Sequence, residues 1–272
     1  MKHHPTEAMP SSEHKCSIVM PCYNARAYIG MSIESVRQQS HTNWELLIVD
    51  DASTDESAAF IEQMYVRHDP RIRLLRLSVN SGAAVARNTG IAEAKGRFIA
   101  FLDSDDCWTP TKLEVQIAFM LAQHCPISFT AYTKRDVQGR HLSQVAVPAR
   151  VDYAKLLKTN VIGCLTAMYD TSCLGKVYMP LIRKRQDFGL WLRILKLTQY
   201  AYGINVPLAH YTVRPNSISA SKTAAAKHTW QLYREIEGLN LIKSSYYFFH
   251  YSYRGYLRTK FPLIARRLGL FD

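Results

Sequence analysis

What the 272-residue chain lacks narrows the field first. It has no apolar run near the roughly 18 residues that a spanning helix needs, so no transmembrane segment is expected. Residues 1–14 are polar, with no apolar signal-peptide core, and read as a disordered leader. The six cysteines, at 16, 22, 107, 125, 164 and 173, show no Cys-x-x-Cys and no metal-ligand spacing. Several sit among apolar residues, so reduced thiols in a cytoplasmic protein are expected. No Gly-x-x-x-x-Gly-Lys-Ser/Thr loop is present, which argues against P-loop phosphoryl transfer. There is no internal repeat and no low-complexity segment.

What is present is a chain 47% hydrophobic, enough for a real core, with a formal charge of +12. That charge favours anionic partners as a class: nucleic acid, anionic lipid or a nucleotide substrate. Strand and helix patterns alternate four times in the first half. Apolar strands are expected at Cys16–Met20, Trp44–Val49, Ile72–Leu77 and Phe98–Leu102. Between and after them come helices at about Ala25–Gln39, around Phe60–Tyr65, at Ala83–Ala94 and after Pro110. This order is the mark of a doubly wound, mostly parallel sheet flanked by helices. Further strands are expected at Ile127–Thr133, Ile162–Tyr169 and Tyr200–Val206, with a turn at Gly139. A short helix is expected at Val151–Leu157, a basic loop at Lys176–Lys184, and a helix from Asp187 with Leu190, Trp191, Ile194 and Leu195 inward. Beyond Arg214-Pro215-Asn216-Ser217 the chain reads as helical, tyrosine-rich and basic.

The chemistry gathers at strand ends. Phe98 to Leu102 delivers Asp103, Asp105 and Asp106 within four residues. Buried unpaired carboxylates are costly, so a cation is expected there. Asp103-Ser104-Asp105 is a hard-oxygen cluster suited to Mg²⁺ or Mn²⁺ with phosphate oxygens. The plainer alternative is an acidic N-cap for the next helix. Asp50 and Asp51 repeat the arrangement one strand away, where Ser53, Thr54 or Asp55 would suffice as a cap. Arg87 lies on a thin helix of Ala83, Ala84, Ala86 and Gly90, which permits close approach to a phosphate or base.

Taken together, Val19-Met20-Pro21-Cys22-Tyr23-Asn24, Val49-Asp50-Asp51-Ala52-Ser53-Thr54-Asp55, Gly82-Ala83-Ala84-Val85-Ala86-Arg87-Asn88 and Phe101-Leu102-Asp103-Ser104-Asp105-Asp106 resemble the family 2 inverting glycosyltransferases of GT-A fold. Gly163 to Tyr169 and Arg183 to Phe188 resemble the bacterial capsule, teichuronic-acid and O-antigen members. The resemblance covers about Lys15 to Ser219 and thins in the tail. It implies that Pro21 and Tyr23 line the nucleotide, Asp51 accepts from a uracil ring with Asp50 beside it, and Arg87 lies near the base or ribose. It places Asp103 near the ribose, Ser104 with the nucleotide set and Asp105 on the metal, and makes Asp187 the base. Asp106 is left without a firm role. The Gln-x-x-Arg-Trp motif of processive members is absent, which implies transfer of a single sugar.

The expected organisation is a leader (1–14), a GT-A domain (15–220) and a basic aromatic tail (221–272). The expected partners are a nucleotide-sugar donor, UDP-sugar favoured, and a lipid-linked saccharide acceptor, with Mn²⁺ or Mg²⁺ as cofactor. The tail, 243–270, interleaves tyrosines and phenylalanines with Arg and Lys, which suits a peripheral contact at the inner face of the cytoplasmic membrane or a helix packed on the domain. The rival reading is a basic nucleic-acid- or membrane-binding α/β protein without transferase activity. No nucleic-acid module is recognisable, and two acidic strand ends would repel phosphates unless metal-loaded.

Overall fold

The computed structural model describes residues 14–214 and 222–261. The expected leader lies almost wholly outside the described residues, as do Asn216, Ser217, Arg266 and Arg267.

Four apolar runs make the first strands: β1 (Cys16–Cys22), β2 (Trp44–Asp50), β3 (Ile72–Arg76) and β4 (Phe98–Phe101). Helices α1 (Ile29–Arg37), α2 (Ser57–Ile61) and α3 (Ala83–Glu93) connect them. Their order in the sheet is β3-β2-β1-β4, all pairings parallel. Every residue of β2 and β4 is buried, as expected of strands covered on both faces, and Glu45 inside β2 is met by the Ser17 hydroxyl and the Lys95 amide. From β1 the chain steps outward to β2 and β3, and the crossover through α3 then returns past β1 to place β4 on its other side. The crevice for a ligand therefore opens at the carboxyl ends of β1, β2 and β4.

The second half departs from a purely parallel sheet. The chain continues through β5 (Cys107–Trp108), α4 (Lys112–Ala122), β6 (Ile127–Arg135), β7 (His141–Val145) and β8 (Arg150–Val151). It then forms α5 (Tyr153–Lys158), β9 (Met168–Asp170), α6 (Thr171–Leu174), α7 (Gln186–Leu195) and β10 (Ala201–Thr212). β9 lies antiparallel between β4 and β6, joining the two halves into one mixed sheet. The last helices among the described residues are α8 (Lys222–Gln231) and α9 (Leu241–Lys260).

Four expectations shift. The first helix starts at Ile29 rather than Ala25, because Asn24 to Tyr28 are held as a turn: the Ala25 and Arg26 amides donate to Ser57 and Asp55. The helix around Phe60 relaxes into a π-helical turn over Glu62–Val66, and Met64 faces solvent. Ile162–Tyr169 is not a strand. Thr166 turns back on Gly163 through both its amide and its hydroxyl, forming a 3₁₀ turn at Cys164–Thr166 before the short β9. The strand expected at Tyr200–Val206 runs on to Thr212, with irregular register on either side of Pro207, which has no N–H to give the ladder.

α3 packs flat on β1. A Cβ on Gly90 would stand 2.5 Å from Val19 Cγ1, so only glycine permits this approach. α7, α8 and α9 extend the core on the same side of the sheet, while α1, α2 and α4 cover the other. Leu232 and Tyr233 are fully buried, and Tyr247, Phe248 and Tyr251 pack on the same core as Val19, Phe101 and Trp191.

Candidate active site

The floor of the crevice is built from strand ends. Asn24 and Ala52, just after β1 and β2, both adopt left-handed backbone, which turns the chain sharply there. The Asp51 amide donates to the Cys22 carbonyl at 2.8 Å. Pro21 is tolerated within β1 because pairing with β4 stops at Val19. Tyr23 is half exposed at the mouth. Asp51 is buried and accepts from the amides of Ser81 and Gly82 at 2.7 and 2.8 Å, one on each oxygen. It thereby anchors the start of α3, using about half of the lone pairs a carboxylate offers. Asp50 is also buried. Its Oδ2 accepts from the Ser53 amide at 3.3 Å, and its Oδ1 has no hydrogen-bond partner.

α3 carries Arg87 across the crevice, where the guanidinium forms an ion pair with Asp103. The Arg87 side chain is 7% exposed and that of Asp103 32%. Burial works against the Arg87 charge, but Asp103 beside it, and Asp187 further off, raise its pKa above the ordinary value. Asp105 pairs with Arg214 at 3.5 Å. Burial and then the Asp103 carboxylate push the Asp105 carboxyl up, with Arg214 opposing. Asp106 has a different place. It is buried, accepts from the Thr212 amide at 2.8 Å, and is pushed well above the carboxylate range by burial and by Asp103 and Asp105. It ties β10 to the acidic loop. Ser104 receives the Ser32 hydroxyl on its backbone carbonyl at 2.8 Å.

Asp187 opens α7. The residue before the helix, Arg185, is left-handed at φ 67°, which turns the preceding basic loop into the helix axis. Asp187 is partly buried. Burial raises its pKa; Arg87, the Phe188 amide and Arg185 oppose, and Asp103 adds to the rise. Arg87, Asp103, Asp105 and Asp187 thus share one electrostatic cluster, while Asp50 and Asp51 stand at the adjoining strand end.

Sequence reasoning missed three contributors. Arg214 pairs with Asp105 and lies 3.3 Å over the Tyr28 ring; nothing in its local pattern marked it. Asn88 exchanges hydrogen bonds of 3.0 and 2.8 Å with the backbone of Met179, locking α3 to the loop before Asp187; its position beside Arg87 was the available signal. Asn24 accepts from the Thr54 amide at 2.8 Å and holds the first two strand ends together.

No group of three or more His, Cys, Asp or Glu side chains forms a metal cage among the described residues. The pair Asp103 and Asp105 fits a different case. Both are part-exposed, and their mutual repulsion shows in the raised Asp105. One or two carboxylates suit a Mg²⁺-like ion that brings its remaining ligands as water and phosphate oxygens.

The mixed, mostly parallel sheet with its crevice at the strand ends is the fold of the GT-A glycosyltransferases. Staphylococcus aureus TarS, residues 1–349 in complex with UDP-GlcNAc, superimposes with a TM-score of 0.68 at 22% identity, over 86% of this chain and 70% of that one. The mannosyltransferase PcManGT of Pyrobaculum calidifontis, in complex with GDP-Man and Mn²⁺, gives 0.66 at 15% identity, over 97% and 81%. Residues 17–173 match Glycosyl transferase family 2, and the chain belongs to that family. It is 46% identical to a Bacillus subtilis protein named as the teichuronic acid biosynthesis glycosyltransferase TuaG, over 87% of this chain and 94% of that one. It is 38% identical to the Escherichia coli UDP-Glc:alpha-D-GlcNAc-diphosphoundecaprenol beta-1,3-glucosyltransferase WfgD, over 81% and 85%. The rival of a binding protein without transferase activity finds no support. Among the described residues no helix is long and apolar enough to cross a membrane.

Proposed function

We propose that the chain transfers one hexose from a UDP-sugar to a hydroxyl of a lipid-linked saccharide, with inversion, in the assembly of a bacterial surface polysaccharide at the inner face of the cytoplasmic membrane. The observation that carries this reading is the cluster of Arg87, Asp103, Asp105 and Asp187 at the sheet's switch point. The name of WfgD supplies the donor and acceptor classes.

Asp187 takes the proton of the acceptor hydroxyl. The oxygen forms a bond to the anomeric carbon from the face opposite the diphosphate, and the bond to the diphosphate oxygen breaks with its electron pair. Pro21 and Tyr23 flank the nucleotide, Asp50 and Asp51 face the base, and Asp103 and Ser104 the ribose. The buried, unpartnered Asp50 Oδ1 suits a base N–H donor. Arg87 holds Asp103 in place and sets positive charge beside the diphosphate. Asp105, with Asp103, would hold Mn²⁺ or Mg²⁺, which as a Lewis acid neutralises charge on the leaving diphosphate.

Thermal unfolding with UDP, GDP, CMP and ATP, each with and without Mn²⁺, tests the reading. Binding to the native state raises stability with saturation. A rise with UDP that requires Mn²⁺ is expected, and is expected to vanish in Asp105→Asn. No rise with any nucleotide would overturn the assignment of the site.

A further inference from the structure

The outer face of α9 takes no part in the transfer site. Ile242, Tyr246, Phe249, Tyr253 and Tyr256 follow at steps of four, three, four and three residues. That spacing sets them in one line along the helix. All five are exposed, from 46% for Tyr253 to 80% for Ile242. Phe249 and Tyr253 stack on each other, ring centroids 6.0 Å apart. The opposite face is already satisfied: Ser244 is fully buried, and Tyr247, Phe248 and Tyr251 pack on the core. The outer line therefore has a second surface to meet.

Charge identifies that surface. Lys243 and Arg254 lie about a quarter to a third of a turn round from the line. Lys158 of α5 reaches over the Tyr246 ring at 5.3 Å. From Gly238 to Lys260 there is no Asp or Glu. At its start the line opens on a groove of about 330 Å³ whose walls include Tyr153, Leu157 and Leu239. Two copies meeting through this face would bring their rows of Lys and Arg together with no acid from α9 to pair them. An anionic bilayer offers both partners at once. Tyrosines and phenylalanines seat at the headgroup level, and Lys and Arg meet phosphates.

We infer that α9 is an interfacial helix that lies on an anionic membrane through this line. The helix is long enough for the task, about 30 Å at 1.5 Å per residue. The inference deepens the lipid-linked acceptor reading, but it rests on the geometry of α9 and not on the donor.

Flotation of the full chain with vesicles tests it, using phosphatidylcholine alone and phosphatidylcholine mixed with phosphatidylglycerol. The wild type is expected to float with the mixed vesicles and to be released by salt. The double variant Phe249→Glu/Tyr253→Glu is expected to lose at least about tenfold in partition. Lys243→Glu/Arg254→Glu is expected to lose the preference for anionic lipid. Each variant is checked for an unchanged thermal midpoint and an unchanged UDP-dependent rise, which separates lost docking from lost folding. Absence of vesicle binding by the wild type, or equal binding by Phe249→Glu/Tyr253→Glu, overturns the inference. A dimer that this variant dissolves also overturns it and assigns the face to a second copy. Vesicle binding as expected, with no nucleotide response in any protein, supports the inference and fails only the donor assignment.

Discussion

Asp187 and Lys112 show how burial changes what a charge can do. Burial lifts the Asp187 carboxyl above the ordinary range, against the pull of Arg87. A base must be deprotonated, so kcat/KM is expected to fall as pH drops through that raised value, at higher pH than an exposed aspartate would give. Asp187→Asn is expected to lower turnover by about 10²–10⁴ with UDP binding nearly intact; steady-state rates and calorimetry check the split. Lys112 is fully buried on α4, its amine 3.8 Å over the Trp108 ring with no hydrogen-bond partner. Burial pushes it down to about 7. Between that pH and the ordinary lysine range the unfolded chain binds a proton that the folded chain does not. Stability is therefore expected to rise with pH across that window, and the full cost of burying the charge is felt below it. Lys112→Met removes the charge and keeps the length. It is expected to stabilise the protein at neutral pH by about 1–4 kcal/mol and to flatten the alkaline rise, as denaturant titrations at several pH values would read.

Between elements, the contact of α3 with β1 decides whether Arg87 reaches Asp103. Gly90→Ala places a Cβ 2.5 Å from Val19 Cγ1, so the helix must lift or Val19 must yield. A loss of about 1–3 kcal/mol is expected, with weaker UDP binding, and Val19→Ala in the same chain is expected to restore much of both. The thermal midpoint and UDP titration of the single and double variants read this out. The same element scale shows what was legible in the sequence. β1, β2 and β4 were, because strands covered on both faces are apolar along most of their length. The strand-end aspartates were, because charge beside such runs needs a reason. The start of α1 was not, since Asn24, Ser57 and Asp55 bond to the backbone across 29–32 positions in competition with the helix. Ile162–Tyr169 misled for a related reason: its apolar residues are buried by a turn that Gly163 and Thr166 form locally. Arg214 could not be found at all, because what it does depends on Asp105, more than a hundred residues earlier.

On the scale of the whole molecule, the late helices belong to the same core as the sheet. Phe188 of α7 meets Tyr233 edge to face at 6.3 Å and stacks on Tyr251 of α9 at 6.4 Å. Tyr233 donates its hydroxyl to the Leu157 carbonyl. A chain ended after Glu237 would leave Phe188, Tyr233 and Trp230 without α9. It is expected to lose the single sharp unfolding transition expected of the intact chain, as followed by calorimetry and by near-ultraviolet circular dichroism. The Phe188–Tyr251 stack also fixes a height. Tyr251 belongs to the inner face of α9, and Phe188 is covalently next to Asp187. A surface resting against the outer face of α9 is held from α7 by about one helix diameter, 10–12 Å. That is the length of a short saccharide, not of a long one. If that surface is the proposed membrane and Asp187 the proposed base, an acceptor sugar one or two residues from its lipid phosphate is expected to be within reach, and longer ones less so. On the proposed membrane contact and the proposed base, transfer is expected to fall off as the acceptor saccharide lengthens, which rates on acceptors of one to four sugars would read.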